Sequence, residues 1–131
     1  MQLFEVNLNN ARAITNYGAI GVSVAGLLEL SSNVAVNVLQ FSPQSILPAH
    51  PAGRPQLFVV LHGHGWVSGA DGRRSNLQAG QAVYWAAGEP HESGTEAGML
   101  CIAVQSSNLD LPSGLMALEH PPILQLLSVD R

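Results

Sequence analysis

The sequence predicts an all-β fold, a small barrel or sandwich of short strands, and three observations carry that expectation. Runs rich in Val, Leu and Ile recur between residues 19 and 106, turn-forming residues separate nearly all of them, and helical periodicity is poor across the span. At 131 residues the chain has the material for one core. It is therefore read as a single domain over 1–131, with a barrel core at about 19–106 and a tail at 107–131.

Taken in order, residues 1–18 give no decisive signal, since Asn9 and Asn10 suit either the cap of a short helix or a turn. Ala19–Leu30 and Asn33–Phe41 read as strands, with Phe41-Ser-Pro-Gln ending the second. Further strands are expected at Gln56–Leu61, Trp66–Ser68, Gln81–Ala86 and Met99–Gln105, and another begins at His91 after a Gly-Glu-Pro turn. His62-Gly-His-Gly reads as a tight connection, Ala70-Asp-Gly-Arg as a hairpin turn and Gln78-Ala-Gly-Gln as the turn before the next strand. Gly63, Gly65 and Gly69 are taken as hairpin glycines, because their spacing is wrong for a nucleotide-binding loop and no crossover helix follows. In the tail, Leu115, Met116 and Leu118, then Ile123, Leu124, Leu126 and Leu127 behind Pro121-Pro122, predict one or two short helices.

Composition narrows the function classes. Apolar residues make up 47% of the chain and charged ones only 11%, so apolar surface is left over and a homodimer is expected, through Ala19–Leu30 or the Leu-rich tail. The five basic residues are all Arg, at 12, 54, 73, 74 and 131, against nine acidic ones; with no basic stripe, nucleic acid is not an expected partner. No apolar run reaches the length of a membrane span, and the first residues lack a basic head before an apolar stretch; a cytoplasmic protein with no membrane partner is expected. Cys101, alone of its kind and inside the run Met99–Val104, reads as a buried reduced thiol.

Polar side chains on otherwise apolar strands point to the chemistry. His50 follows Ile46-Leu47-Pro48-Ala49, Gln56 opens QLFVVL, and His91 begins its strand. Alternation puts Gln56, Phe58 and Val60 on one face and Leu57, Val59 and Leu61 on the other, so Gln56 faces a barrel interior with Phe58 beside it. Trp66 and Trp85 are core by default, with Trp85, which alternates with Val83, the candidate for a pocket wall near His91. Glu89 and Glu92 flank His91, and alternation turns Glu92 away. His62 and His64 are read as surface histidines and His120 as a turn residue.

The stretch from Pro48 to Gln105 resembles the two motifs of the cupin superfamily. The first is carried by His50-Pro-Ala52-Gly-Arg-Pro-Gln56 and the hairpin ending at Gly63-His-Gly65, the second by Gly80, Ala86-Ala-Gly88, His91 and Thr95. The chain is also similar to small single-domain bacterial cupins without an assigned reaction. The resemblance implies a double-stranded β-helix, or small jelly-roll barrel, with short helical or irregular N- and C-terminal segments. It also implies a site at His50, Gln56 and His91, where cupins commonly bind a divalent metal through three His and one Glu. Here Ala52 and Gln56 stand where the family places the second His and the Glu, which removes one nitrogen donor and the anionic ligand. A unit charge about 4 Å from another is worth on the order of 4 kcal/mol at an effective dielectric near 20, so the change weakens ion binding. Two readings stay open: a small-molecule-binding cupin whose ligand meets Phe58 and Trp85, with or without Zn, Ni, Fe or Mn at His50, Gln56 and His91; and a metal-dependent dioxygenase, isomerase or lyase.

Overall fold

The computed structural model describes residues 1–2, 8–30 and 33–110; the helices expected in the tail lie outside the described residues, as does His120. Eight strands form the fold: β1 (Arg12–Ala13), β2 (Ile20–Leu30), β3 (Val34–Pro51), β4 (Gln56–Ser68), β5 (Arg74–Gln78), β6 (Ala82–Trp85), β7 (Pro90–Thr95) and β8 (Met99–Ser106). Two short 3-10 turns, Leu8–Asn10 and Asn16–Gly18, flank β1. All strand pairings are antiparallel. Among the described residues no helix is long and apolar enough to cross a membrane.

Two long strands close the single sheet into a barrel by each pairing with different neighbours along their two halves. The first half of β3 pairs with β8, from Val34↔Ser106 to Phe41↔Met99, and its second half pairs with β7, from Ser45↔Thr95 to Pro51↔Pro90. Likewise β4 pairs first with β8 and β6, then with β7 and β5. The changeover in β3 falls at Ser42-Pro43-Gln44, where Pro43 has no N–H to give and Gln44 takes a φ of 59°. In β4 it falls at a bulge between Val60 and His62, followed by Gly63 with a φ of 78°. Thr95 fastens this corner: its hydroxyl donates to the His64 carbonyl (2.7 Å) and accepts from the Gly98 N–H (2.9 Å).

These corners correct two expectations. Phe41-Ser-Pro-Gln and His62-Gly-His-Gly look like chain reversals in sequence, yet both are bends inside continuous strands of 18 and 13 residues. Gly63 and Gly65 are accordingly not hairpin glycines; a Cβ on Gly63 would run into the Gly98 carbonyl, and one on Gly65 into the Gly94 carbonyl and the Met99 sulfur. Gly69 does open the β4–β5 hairpin, where the Gly72 N–H donates to its carbonyl (3.0 Å) and the Arg73 N–H to Asp71 Oδ1 (2.9 Å).

The bulge in β4 also shifts the burial phase by one residue. Gln56, Phe58 and Val60 are buried ahead of it, Gly65 and Val67 after it, as a one-residue insertion requires. Trp66 therefore turns outward instead of joining the core, lies over Gly94 and is capped by the Arg74 guanidinium 3.5 Å from its ring centroid. The core proper gathers Val22, Phe41, Phe58, Val60, Met99 and Cys101 with their neighbours inside the barrel.

Candidate functional site

A cavity of about 330 Å³ opens inside the barrel, and His50, Gln56, Phe58, Trp85 and His91 all line it. Three strand devices bring them there. Gln56 and Phe58 point inward by simple alternation on β4, where both are buried. His91 and Ser93 do the same on β7. His50 needs more: counting by twos from the cavity-lining Leu47 would turn it outward, but the β3–β7 register shifts between Leu47 and His50 and returns it to the inner face. His50 and His91 then sit directly opposite each other as a cross-strand pair.

The imidazoles are anchored alike. His50 Nδ1 lies 2.7 Å from the Pro48 carbonyl and His91 Nδ1 3.2 Å from the Glu89 carbonyl, so each Nδ1–H donates to the backbone carbonyl two residues before it and each Nε2 keeps its lone pair. The ring centroids are 4.2 Å apart. Burial holds the His91 pKa below its ordinary value, with the nearby His50 adding to the effect, while the Glu89 carbonyl and carboxylate oppose it. Gln56 is held in turn, its Oε1 accepting from Gln105 Nε2 at 2.9 Å.

Rings continue outward and inward from the histidine pair. Tyr17 stacks on His50 (4.3 Å, 10° between planes), Trp85 lies 4.5 Å from His91, and Phe58 lies 5.6 Å from Trp85. Trp85 is at once core and wall: it is 2% exposed, its indole N–H donates to the Ser68 carbonyl (3.1 Å), and its face borders the cavity.

The flanking residues fall elsewhere. Glu92 faces away and meets Arg74 at 3.8 Å, whereas the Glu89 carboxylate accepts from the Ala86 and Ala70 N–H groups and so closes the turn ahead of β7. Ala52 is buried but borders no part of the cavity; its backbone exchanges hydrogen bonds with Glu89 and Gly88. A second cleft of about 640 Å³, lined from β4, β5 and β6, is reached by Trp85 alone of the five candidates.

Sequence reasoning missed the N-terminal contribution. Arg12, Ala13, Ile14, Asn16 and Tyr17 all line the cavity, because β1 pairs with β2 through Arg12↔Val24 and Ala13↔Ser23 and the chain then crosses the opening. No periodicity marks so short a segment. Gln105 was missed as well, although its spacing by twos from Cys101 and Ala103 marks it as inward-facing.

The donors present do not make up a resident catalytic metal centre. Such centres supply about three protein ligands, whereas this pocket has two imidazole nitrogens and an amide oxygen already engaged by Gln105. Among the described residues no three His, Cys, Asp or Glu side chains gather where an ion would fit.

No protein-family model matches the chain, and no curated protein matches it. Solved structures do. The polyketide cyclase RemF from Streptomyces resistomycificus superposes with a TM-score of 0.68 at 20% identity, over 92% of this chain and 90% of that one. A Cupin 2 conserved barrel domain protein from Salinispora arenicola gives 0.68 at 17% identity, over 82% and 90%. The Cnp3 cupin domain of Schizosaccharomyces pombe gives 0.63 at 12% identity, covering 68% of this chain, which spans 66% of that one. At these identities the likeness establishes the fold, and the fold is that of the cupin barrels.

Proposed function

From a cupin barrel with two imidazoles at an aromatic-walled cavity, we propose that the protein binds a small organic molecule inside the barrel without a resident metal. The observation that carries this is the state of the histidine pair: both Nδ1–H groups are committed to backbone carbonyls, and both Nε2 atoms are left to accept a hydrogen bond or a proton from a ligand. A cavity of about 330 Å³ lies at the small end of the range that ligand pockets occupy. Trp85 and Phe58 line the cavity with their rings inclined at 56° to each other, and Gln56, its oxygen engaged, has amide N–H groups to donate. A ligand hydroxyl or acidic C–H directed at His91, where burial disfavours the imidazolium, would find a base there.

Untagged protein and its His50→Ala/His91→Ala variant, both checked for folding by circular dichroism, provide the test. Native mass spectrometry is expected to find small-molecule adducts on the wild type that the variant loses, with elemental analysis finding no stoichiometric metal in either. A stoichiometric metal present in the wild type and lost from the variant overturns the reading in favour of a metal-dependent enzyme.

A further inference from the structure

We propose that the ligand is a flat aromatic or conjugated acid, its ring on the aromatic wall and its carboxylate at Arg12; this deepens the binding reading above and rests on it. Arg12 is the one residue with a permanent charge among those lining the cavity, and no Asp or Glu lines it. The cavity therefore carries a positive bias in a chain whose net charge is −4. Arg12 makes no ion pair with any described residue, and the two carboxylates that flank His91 in sequence are engaged elsewhere, Glu92 with Arg74 and Glu89 with the turn amides. A guanidinium at the rim of a pocket suits the planar fork of a carboxylate, which it grips through two parallel hydrogen bonds.

Position supports the assignment as much as charge. The backbone of Arg12 is fixed by its pairing with Val24, and the Ile14 N–H continues the ladder to the Val22 carbonyl (2.9 Å), so the side chain springs from an anchored point and not from a loose end. Two residues beyond Ile14 the chain turns at Asn16–Gly18, where Tyr17 takes a φ of 62° and lays its ring on His50. A left-handed backbone is unfavourable for tyrosine, and the stacking contact on His50 is what that conformation gains. One segment thus supplies both the cation and the outermost ring. The remaining polar groups at the cavity, Asn16, Asn37, Ser93 and Gln105, are neutral, which leaves charge selection to Arg12.

Isothermal titration of the full chain at about pH 8, where imidazoles are neutral, with 2-naphthoate, 2-naphthamide and 2-naphthylmethylammonium tests this. The expected order is naphthoate tightest, by about tenfold over the amide, with the ammonium weakest. In Arg12→Gln, with the fold checked by circular dichroism, the ratio of naphthoate to naphthamide affinity is expected to fall to about one. Equal affinity for naphthoate and naphthamide in the wild type, or a naphthoate advantage that survives Arg12→Gln, overturns the anion assignment and leaves the binding reading standing. Failure of all three probes to bind overturns both.

Discussion

His91 and Cys101 are both buried in the barrel, and burial acts on them with opposite sign. Withdrawing an imidazole from water disfavours its cation, so the folded His91 binds its proton less readily than the ordinary value of 6.5. As pH falls through that value the unfolded chain takes up a proton that the folded chain still refuses, and folding loses free energy until His91 also titrates. Stability that is complete above about pH 6.5 should therefore decline below it, and urea midpoints measured against pH should show a shallower acid decline in His91→Gln than in the wild type. Equal slopes would mean that His91 titrates alike in both states. For a thiol the anion is the form burial penalises, and Cys101, fully buried on β8, is pushed up to about 12. Iodoacetamide should leave native Cys101 unmodified at about pH 8 over a period in which the urea-unfolded chain is fully alkylated, as read by mass spectrometry.

At the scale of the strand, bends decide what faces the cavity. Gly63 and Gly72 have nearly the same backbone, with φ of 78° and 73°, but a Cβ on Gly72 meets nothing within 4 Å while one on Gly63 collides with the β7–β8 connection. Gly72→Ala should cost about 1 kcal/mol, the conformational penalty alone, and Gly63→Ala about 3 kcal/mol or more, because the β4 corner must open. Urea denaturation separates the two, and equal costs would show that the corner yields. The same bends explain which parts of the site were legible in sequence. Gln56 and Phe58 lie in an unbroken run ahead of the β4 bulge, so counting by twos placed them correctly. Counting fails wherever a residue is inserted: it turns His50 outward, and His50 was found instead as a polar residue after an apolar run and by the spacing of the cupin motif. Trp66 was misjudged for the same reason, one residue past the phase change. Arg12 and Tyr17 reach the cavity through pairings that join segments separated by a turn, and a two-residue strand leaves no periodic trace.

For the whole molecule, the barrel sets the geometry at its centre and individual side chains set the chemistry, and one substitution separates the two. The two halves of the barrel set His50 opposite His91 whatever stands at position 56, because β3 and β7 make that pairing without β4. What position 56 supplies is the charge. Gln56 is 7% exposed and hydrogen-bonded to Gln105, so Gln56→Glu places a carboxylate in a nearly dry site with one amide N–H to satisfy it. Without metal the variant should be less stable than the wild type by about 1–3 kcal/mol, the cost of a poorly solvated acid. With two imidazoles lining the same cavity, however, the new carboxylate brings the donors there to three, a set of the kind zinc accepts. An ion that binds only the folded state raises its stability by mass action, so zinc should raise the Tm of Gln56→Glu in proportion to the logarithm of its concentration and leave the wild type unchanged. Thermal scans with and without zinc read this directly. An equal rise in the wild type would show that two imidazoles and an amide already suffice, and the metal-free reading of this cavity would fall.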